Sequence, residues 1–358
     1  MLTKKQLYNQ NTVTERNNVS EPPKQTNTQY LDLLRFAAIS MVILLHITAG
    51  VLSGMPEQMT AHQTIVYELV KELCTGGVPL FFMISGVLFL NPQKELTIKK
   101  LFTKYIRRIA LAILLFGTGF ALLELVMVRK NFRLTYLWTA FLNMLERRSW
   151  AHMWYLYALL GLYLFLPLLK IFAAHAGEKV YAYVLLLLFV ANSVVPFINE
   201  TCGIRLGILF PTAGIYLFYY LAGYYLHTWG GNSEKRKRYA VSGLGISGLL
   251  ILVNQICGIG WEIDYDSPVV VVLSVSLFCL LGSSKRVPHF MTQWRGLYFS
   301  IYLIHTVFLN AAYKGMKITP LMLGGYILLP VFFTGTFALS LAAAYLMKKI
   351  PLLNKYVL

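Results

Sequence analysis

"YLDLLRFAAISMVILLHITAG" occupies residues 30–50, and its reading decides the fold. The stretch is long and apolar enough to cross a hydrocarbon core of about 30 Å as a helix rising about 1.5 Å per residue. Yet it carries Arg35 and His46. Titratable side chains at membrane depth are costly, and they persist where they serve a partner or a cavity. Eleven residues advance a helix by about 16 Å and rotate it through three turns plus roughly 20°, so Arg35 and His46 share one face. Asp32, Ile39, Val42, Ala49 and Ser53 fall on the same stripe. Arg35 enters the hydrocarbon by about 7 Å, close enough to snorkel and to pair with Asp32, whereas His46 lies about 24 Å in. An imidazole that titrates near neutrality is the harder of the two to explain by packing alone.

The remainder of the chain has the same character. Of its 358 residues 57% are hydrophobic and 13% charged, and the mean hydropathy is positive. That balance excludes a water-soluble domain. The predicted fold class is an all-α integral membrane protein of about ten transmembrane helices, at roughly 30–54, 77–92, 106–127, 152–173, 180–198, 207–228, 239–258, 268–283, 297–314 and 321–348.

A net charge of +17 in a soluble protein would suggest nucleic acid. Here the basic residues sit in short segments between apolar blocks, so they report topology and no nucleic-acid partner is expected. "KKLFTKYIRR" (99–108) and "EKRKR" (234–238) placed inside, against the acidic "GWEIDYDS" (260–267) outside, predict N-in and C-in. The third loop departs from this rule, because Arg129, Lys130, Arg133, Arg147 and Arg148 fall outside. Within it, "LTYLWTAFLNMLERR" (134–148) reads as an amphipathic interfacial helix.

Residues 1–29 are polar and have neither an apolar h-region nor a small-residue cleavage site, so they read as a disordered cytoplasmic tail. Residues 30–358 read as one transmembrane domain. The four cysteines, Cys74, Cys202, Cys257 and Cys279, have no metal-ligand spacing, and no metal is expected. A disulfide among the first three is open, unpaired thiols being the commoner state.

Three further stretches accompany the Arg35–His46 seam. "GGVPLFFMISGVLFL" (76–90) puts Ser85 and Gly86 at mid-depth, where a small pair permits close helix approach or lines a channel. "SWAHMWYLYALLGLYLFLPLL" (149–169) opens with Trp150, His152 and Trp154, the pattern of an aromatic belt. "FSIYLIHTVFL" (299–309) holds Tyr302 and His305 one turn apart, His305 being a second histidine within a span.

Together these stretches resemble the integral-membrane acyltransferase-3 family, which includes bacterial O-acetyltransferases of cell-surface polysaccharides. The resemblance rests on "LDLLRFAAISMVILLH" with its Arg, ten residues, then His; on "VPLFFMISGVLFL"; on "HMWYLYALLGLYLFLPLL"; and on "SIYLIH", in that order. It implies transfer of an acyl group, acetyl by preference, from cytoplasmic acyl-CoA to a hydroxyl of an acceptor at or beyond the outer face, such as a cell-surface glycan. It also implies a multi-pass protein of the bacterial plasma membrane, for which self-association is open. Arg35 and His46 stand at the family's essential pair. The family's two arginines three residues apart after the second helix correspond to Lys104 and Arg107, with Arg108 adjacent, so the first position departs to lysine and loses the bidentate fork.

Coenzyme A carries several phosphate charges, and Lys99, Lys100, Lys104, Arg107 and Arg108 offer it a cytoplasmic basic patch. A hydroxyl is a poor nucleophile at neutral pH, which makes His46 the expected general base, with a transient acyl-imidazole as the alternative. Ser85, Tyr302 and His305 are candidate oxyanion donors, and with Trp154 they form the expected substrate-binding set. The competing class is a transporter or flippase of a small polar or lipid-linked substrate, whose permeation path a polar seam would equally line.

Overall fold

A computed structural model describes residues 28–203, 214–231, 234–284 and 286–358. The expected tail lies almost wholly outside the described residues, as does the start of the sixth expected span. Every regular element among the described residues is helical. In chain order the main ones are α1 (Tyr30–Gly54), α2 (Ala61–Leu90), α3 (Ile98–Arg129), α4 (Thr135–Leu145), α5 (Ala151–His175), α6 (Glu178–Cys202), α7 (Ile215–Thr228), α8 (Glu234–Cys257), α9 (Pro268–Gly282), α10 (Tyr298–Asn310) and α11 (Leu328–Lys349). Seven of them, α1, α2, α3, α5, α6, α8 and α11, are long and apolar enough to cross a membrane, and α9 is a shorter apolar helix.

The sequence reading and the structure differ most at two helix starts. α2 begins at Ala61 rather than near 77, because Thr60 and Gln63 form a reciprocal capping box there. The Gly76-Gly77 pair does not break the run: Gly76 keeps helical dihedrals, and the Leu80 amide still donates to its carbonyl at 3.3 Å. The last helix begins at Leu328 rather than near 321. Gly324 and Gly325 adopt left-handed φ values of 70° and 83°, which end the short 3-10 turn Pro320–Leu323 before α11 starts. α4 forms as a separate amphipathic helix; it buries Ala140 and Met144 and leaves Leu137, Trp138, Leu142 and Leu145 exposed.

α1 lies at the centre. Leu31, Leu34, Ala38, Ile39, Val42, Ile43 and Ile47 are fully buried, and α2, α9, α10 and α11 pack around it. α2 and α7 cross at their backbones, since a Cβ placed on Gly86 would stand 1.8 Å from the Tyr220 carbonyl oxygen and one on Gly223 would stand 2.1 Å from that of Met83. No other residue type fits at such a crossing. The close approach expected at Gly86 is therefore present. The far end of α2 is held by α5: Lys170 Nζ donates to the carbonyls of Asn91 at 2.7 Å and Lys94 at 2.9 Å, at the negative end of the helix dipole. All four cysteines are unpaired, Cys74 and Cys279 buried, Cys202 and Cys257 exposed.

Candidate active site

The seam of α1 connects two cavities. At the Arg35 end, a cavity of about 380 Å³ is lined by residues that include Arg35, Ser85, Arg108, Arg295, Lys348 and Tyr302. At the His46 end, a second cavity of about 480 Å³ is lined by residues that include His46, Glu124, Trp150, His152, Asn310 and Lys314.

The first cavity is basic. Arg35 donates to Asp32 at 2.5 Å, the pairing expected from their spacing. Asp32 is fully buried and also takes a second guanidinium, accepting from Arg295 Nε at 2.9 Å and Nη2 at 2.5 Å. Those bonds to Asp32 raise the pKa of Arg295 above its ordinary value, which keeps it cationic. One buried carboxylate thus orders two arginines at the cavity wall, through charge-assisted bonds stronger than neutral ones. Arg108 reaches in from α3, its Nε donating to the Val357 carbonyl at 2.9 Å and its guanidinium standing 5.7 Å from the Phe299 ring.

The other expected donor-site residues do not join it. Lys100, Lys104 and Arg107 are exposed on the same helical run and do not line the cavity. The side chain of Lys104 lies against Tyr105 and that of Arg107 against Tyr356. Arg107 and Arg108 are about 100° apart around the axis and cannot both face inward, whereas Lys104 shares the face of Arg108 but lies one turn earlier, short of the cavity lining.

Aromatic rings close the end of the first cavity that faces the histidines. Phe81, Tyr155 and Tyr302 line it, with the Tyr155 and Tyr302 centroids 5.3 Å apart. Beyond them stand three histidines. His46 and His305 have centroids 5.2 Å apart, His152 and His305 5.4 Å, and His46 and His152 6.2 Å. The wall between the cavities is joined by a hydrogen bond from the Tyr302 hydroxyl to the His152 carbonyl. Tyr302 faces one cavity and His152 the other.

His152 and His305 are fully buried, while His46 is half-buried and open to the second cavity. His152 Nε2 lies 3.3 Å from the Leu303 carbonyl, which can only accept, so that nitrogen carries the hydrogen. Its Nδ1 then accepts from the Thr306 hydroxyl at 3.3 Å. Among the described residues no group of His, Cys, Asp or Glu is arranged to hold a metal ion.

The second cavity is polar but charge-balanced on its far side. Glu124 accepts from the Trp150 indole at 3.1 Å and from Lys314 Nζ at 3.0 Å. Trp150 is stacked on Phe120 at 4.4 Å with their planes 4° from parallel. Arg148, from the basic third loop, also lines this cavity.

Arg35, Ser85 and Tyr302 thus meet at the first cavity, and His46 and His305 meet at its far wall. Ser85 donates to the Phe81 carbonyl one turn earlier at 2.9 Å, so its hydroxyl hydrogen is committed to its own helix. Trp154 stands apart, packed at 5.1 Å against Tyr216 and Tyr265, and lines neither cavity. Sequence reasoning missed Arg295 and Lys348 at the first cavity and Glu124 and Lys314 at the second. It also read His152 as part of an interfacial belt. The one available signal was that His152 is a titratable residue between two tryptophans.

A family model described as an acyltransferase domain matches residues 28–349, nearly the whole chain. No curated protein and no solved structure matches. On that match and on its apolar helices, the chain belongs to the acyltransferase-3 family and is a membrane acyltransferase.

Proposed function

We propose that the protein is an O-acyltransferase that moves an acyl group, acetyl by preference, from cytoplasmic acyl-CoA to a hydroxyl of an acceptor on the other side of the membrane, a cell-surface glycan being the preferred class. In this reading residues 30–358 form one domain of about ten spans with both ends inside, in the bacterial plasma membrane. The first cavity then opens inward and the second outward.

The observation that carries the reading is the meeting of two unlike cavities at one aromatic and imidazole wall. The donor is a polyanion on a long thin arm, and Arg35, Arg108, Arg295 and Lys348 at the first cavity offer it cations, two of them already ordered by Asp32. The aromatic lining suits the uncharged pantetheine arm and brings a thioester toward Tyr302. The acceptor is uncharged at the reacting group, and the second cavity offers hydrogen-bonding side chains and an indole face.

His46 is the general base. It lines the cavity that would hold the acceptor, and it stands against the wall that the thioester would reach. Taking the hydroxyl proton, His46 lets the oxygen attack the thioester carbon; the carbon–sulfur bond then breaks and the departing thiolate recovers the proton from the imidazolium. A transient acyl-imidazole would need His46 itself to reach that carbon, and it lies on the acceptor's side of the wall. Tyr302, at the wall, would serve the developing oxyanion only by releasing the hydrogen bond that its hydroxyl gives the His152 carbonyl.

Proteoliposomes given acetyl-CoA labelled in the acetyl carbons test the reading. Label appearing on an added glycan supports it, and substrate flux with no acyl transfer would replace it with a transporter.

A further inference from the structure

His305 is fully buried on α10, one helical turn beyond Tyr302. Its Nδ1 lies 2.8 Å from the Tyr302 carbonyl oxygen. A carbonyl accepts only, so Nδ1 carries the hydrogen, and a neutral imidazole has just one to give. Nε2 is therefore a bare acceptor. It is buried and has no hydrogen-bond partner, a state that native structures rarely leave unused.

Three groups could supply it. His152 cannot, because its Nε2 hydrogen points to the Leu303 carbonyl and its Nδ1 is an acceptor. The Thr306 hydroxyl is taken up by the His152 ring, 3.3 Å from Nδ1 and 3.5 Å from Nε2. His46 remains, and its ring centroid is 5.2 Å from that of His305. Two imidazoles joined by an N–H···N bond of ordinary length stand at about this separation; the rings are tilted by 46° and make no such bond in the structure, so a turn of the His46 side chain is needed to form it.

We propose that His305 is the positioning residue for His46: its unprotonated Nε2 accepts the N–H of His46 and so leaves the other His46 nitrogen free to take the acceptor's proton. The assignment rests on the reading of His46 as general base. Once that bond forms, the chain runs from the Tyr302 carbonyl through His305 to His46, with every hydrogen accounted for. The Tyr302 carbonyl fixes the tautomer of His305, and His305 fixes the tautomer of His46. When His46 takes the second proton, the hydrogen already shared with His305 lets that ring stabilise the imidazolium. Orienting groups of this kind act on the base through its tautomer, and the wrong tautomer is costly even where the geometry survives.

Two amides separate this role from simple packing. The His305→Gln amide reaches the place of Nε2 and offers an acceptor to His46. The His305→Asn amide reaches only the place of Nδ1, keeping the bond to Tyr302 and losing the one to His46. The expected result is that His305→Gln keeps kcat within about tenfold of wild type, while His305→Asn loses on the order of 10² to 10⁴, with the donor KM unchanged in both. The reverse order, Asn active and Gln inert, would overturn the proposal in favour of a purely structural ring.

A measurement on wild-type protein needs no variant. Nitrogen-15 histidine spectra in detergent are expected to show a single neutral tautomer for His46 and a hydrogen-bond coupling to His305 Nε2. A tautomer mixture for His46 in the wild type would sink the assignment. Activity of His46→Ala, measured alongside, separates the two failures: an active His46→Ala removes the general base itself, whereas an inert one with fully active His305→Asn removes only His305.

Discussion

The cavity at Arg35 and the cavity at His46 share a wall and little else. The first is ringed by four cations, Arg35, Arg108, Arg295 and Lys348, and floored by aromatic rings. The second sets Lys314 against Glu124, takes Arg148 beside its ion-pair partner Glu146, and presents imidazoles, Trp150 and the Asn310 amide. In the proposed reading, charge excess at one end and paired charges at the other sort the two ligands by their own charge. A coenzyme polyanion would find its cluster of cations in the first, and a neutral hydroxyl compound would lose little by entering the second. On the proposed reading, the membrane separates the ligands by side while the electrostatics separate them by kind.

The comparison breaks most readily at His46. His46→Ala is expected to lower kcat by about 10² to 10⁴ with the folded protein retained, read as acyl transfer per mole of monodisperse enzyme. Near-normal turnover would take the chemistry away from the second cavity. Next in size is Asp32→Asn, which leaves Arg35 and Arg295 without their shared carboxylate. Breaking a buried ion pair costs about 3–5 kcal/mol, and the lower end applies because Arg295 is half exposed. The check is thermal unfolding in detergent, and an unchanged midpoint would mean that the first cavity does not depend on that carboxylate.

Gly86→Ala is expected to destabilise the protein by about 1–3 kcal/mol, because its Cβ would overlap the Tyr220 carbonyl. The same unfolding assay reads it. Arg108→Ala sharpens the comparison: the donor KM should rise by about tenfold, the worth of a charge-assisted contact, while the acceptor KM holds. Lys104→Ala, off the cavity, should leave both within about twofold. A larger effect from Lys104 than from Arg108 would move the donor site to the exposed face of α3. Smaller than the effect of Arg108→Ala is that of Glu124→Gln, which loosens Lys314 and Trp150 and should shift only the acceptor KM, by a few-fold at most.

Much of this was legible in the chain. The Arg35–His46 stripe follows from eleven-residue helical spacing, and the cost of titratable groups in lipid marks it as more than packing. The Asp32 pairing follows from a three-residue offset, and the tight crossing at Gly86 from a small residue in an otherwise bulky apolar run. What stayed hidden depends on which helices meet. Arg295 sits in a short segment whose basic residues look like topology charge, and only the approach of that segment to α1 gives it Asp32. His152 lies between two tryptophans, so its neighbourhood reads as an interfacial belt until α5 packs beside α1 and α10. The inward turn of Arg108, and not of Arg107, is set by the rotational phase of α3, which an all-round apolar helix does not reveal.

The backbone crossing of α2 and α7 has a consequence for substrate range. With the Gly86 and Gly223 faces already touching main chain to main chain, α2 has nowhere to retreat when a bulkier thioester arrives. Extra room must come from the opposite panel, where Tyr155 and Leu159 of α5 face the same void. If the donor sits there as proposed, trimming either of those two side chains is the direct route to a version that accepts chains longer than acetyl.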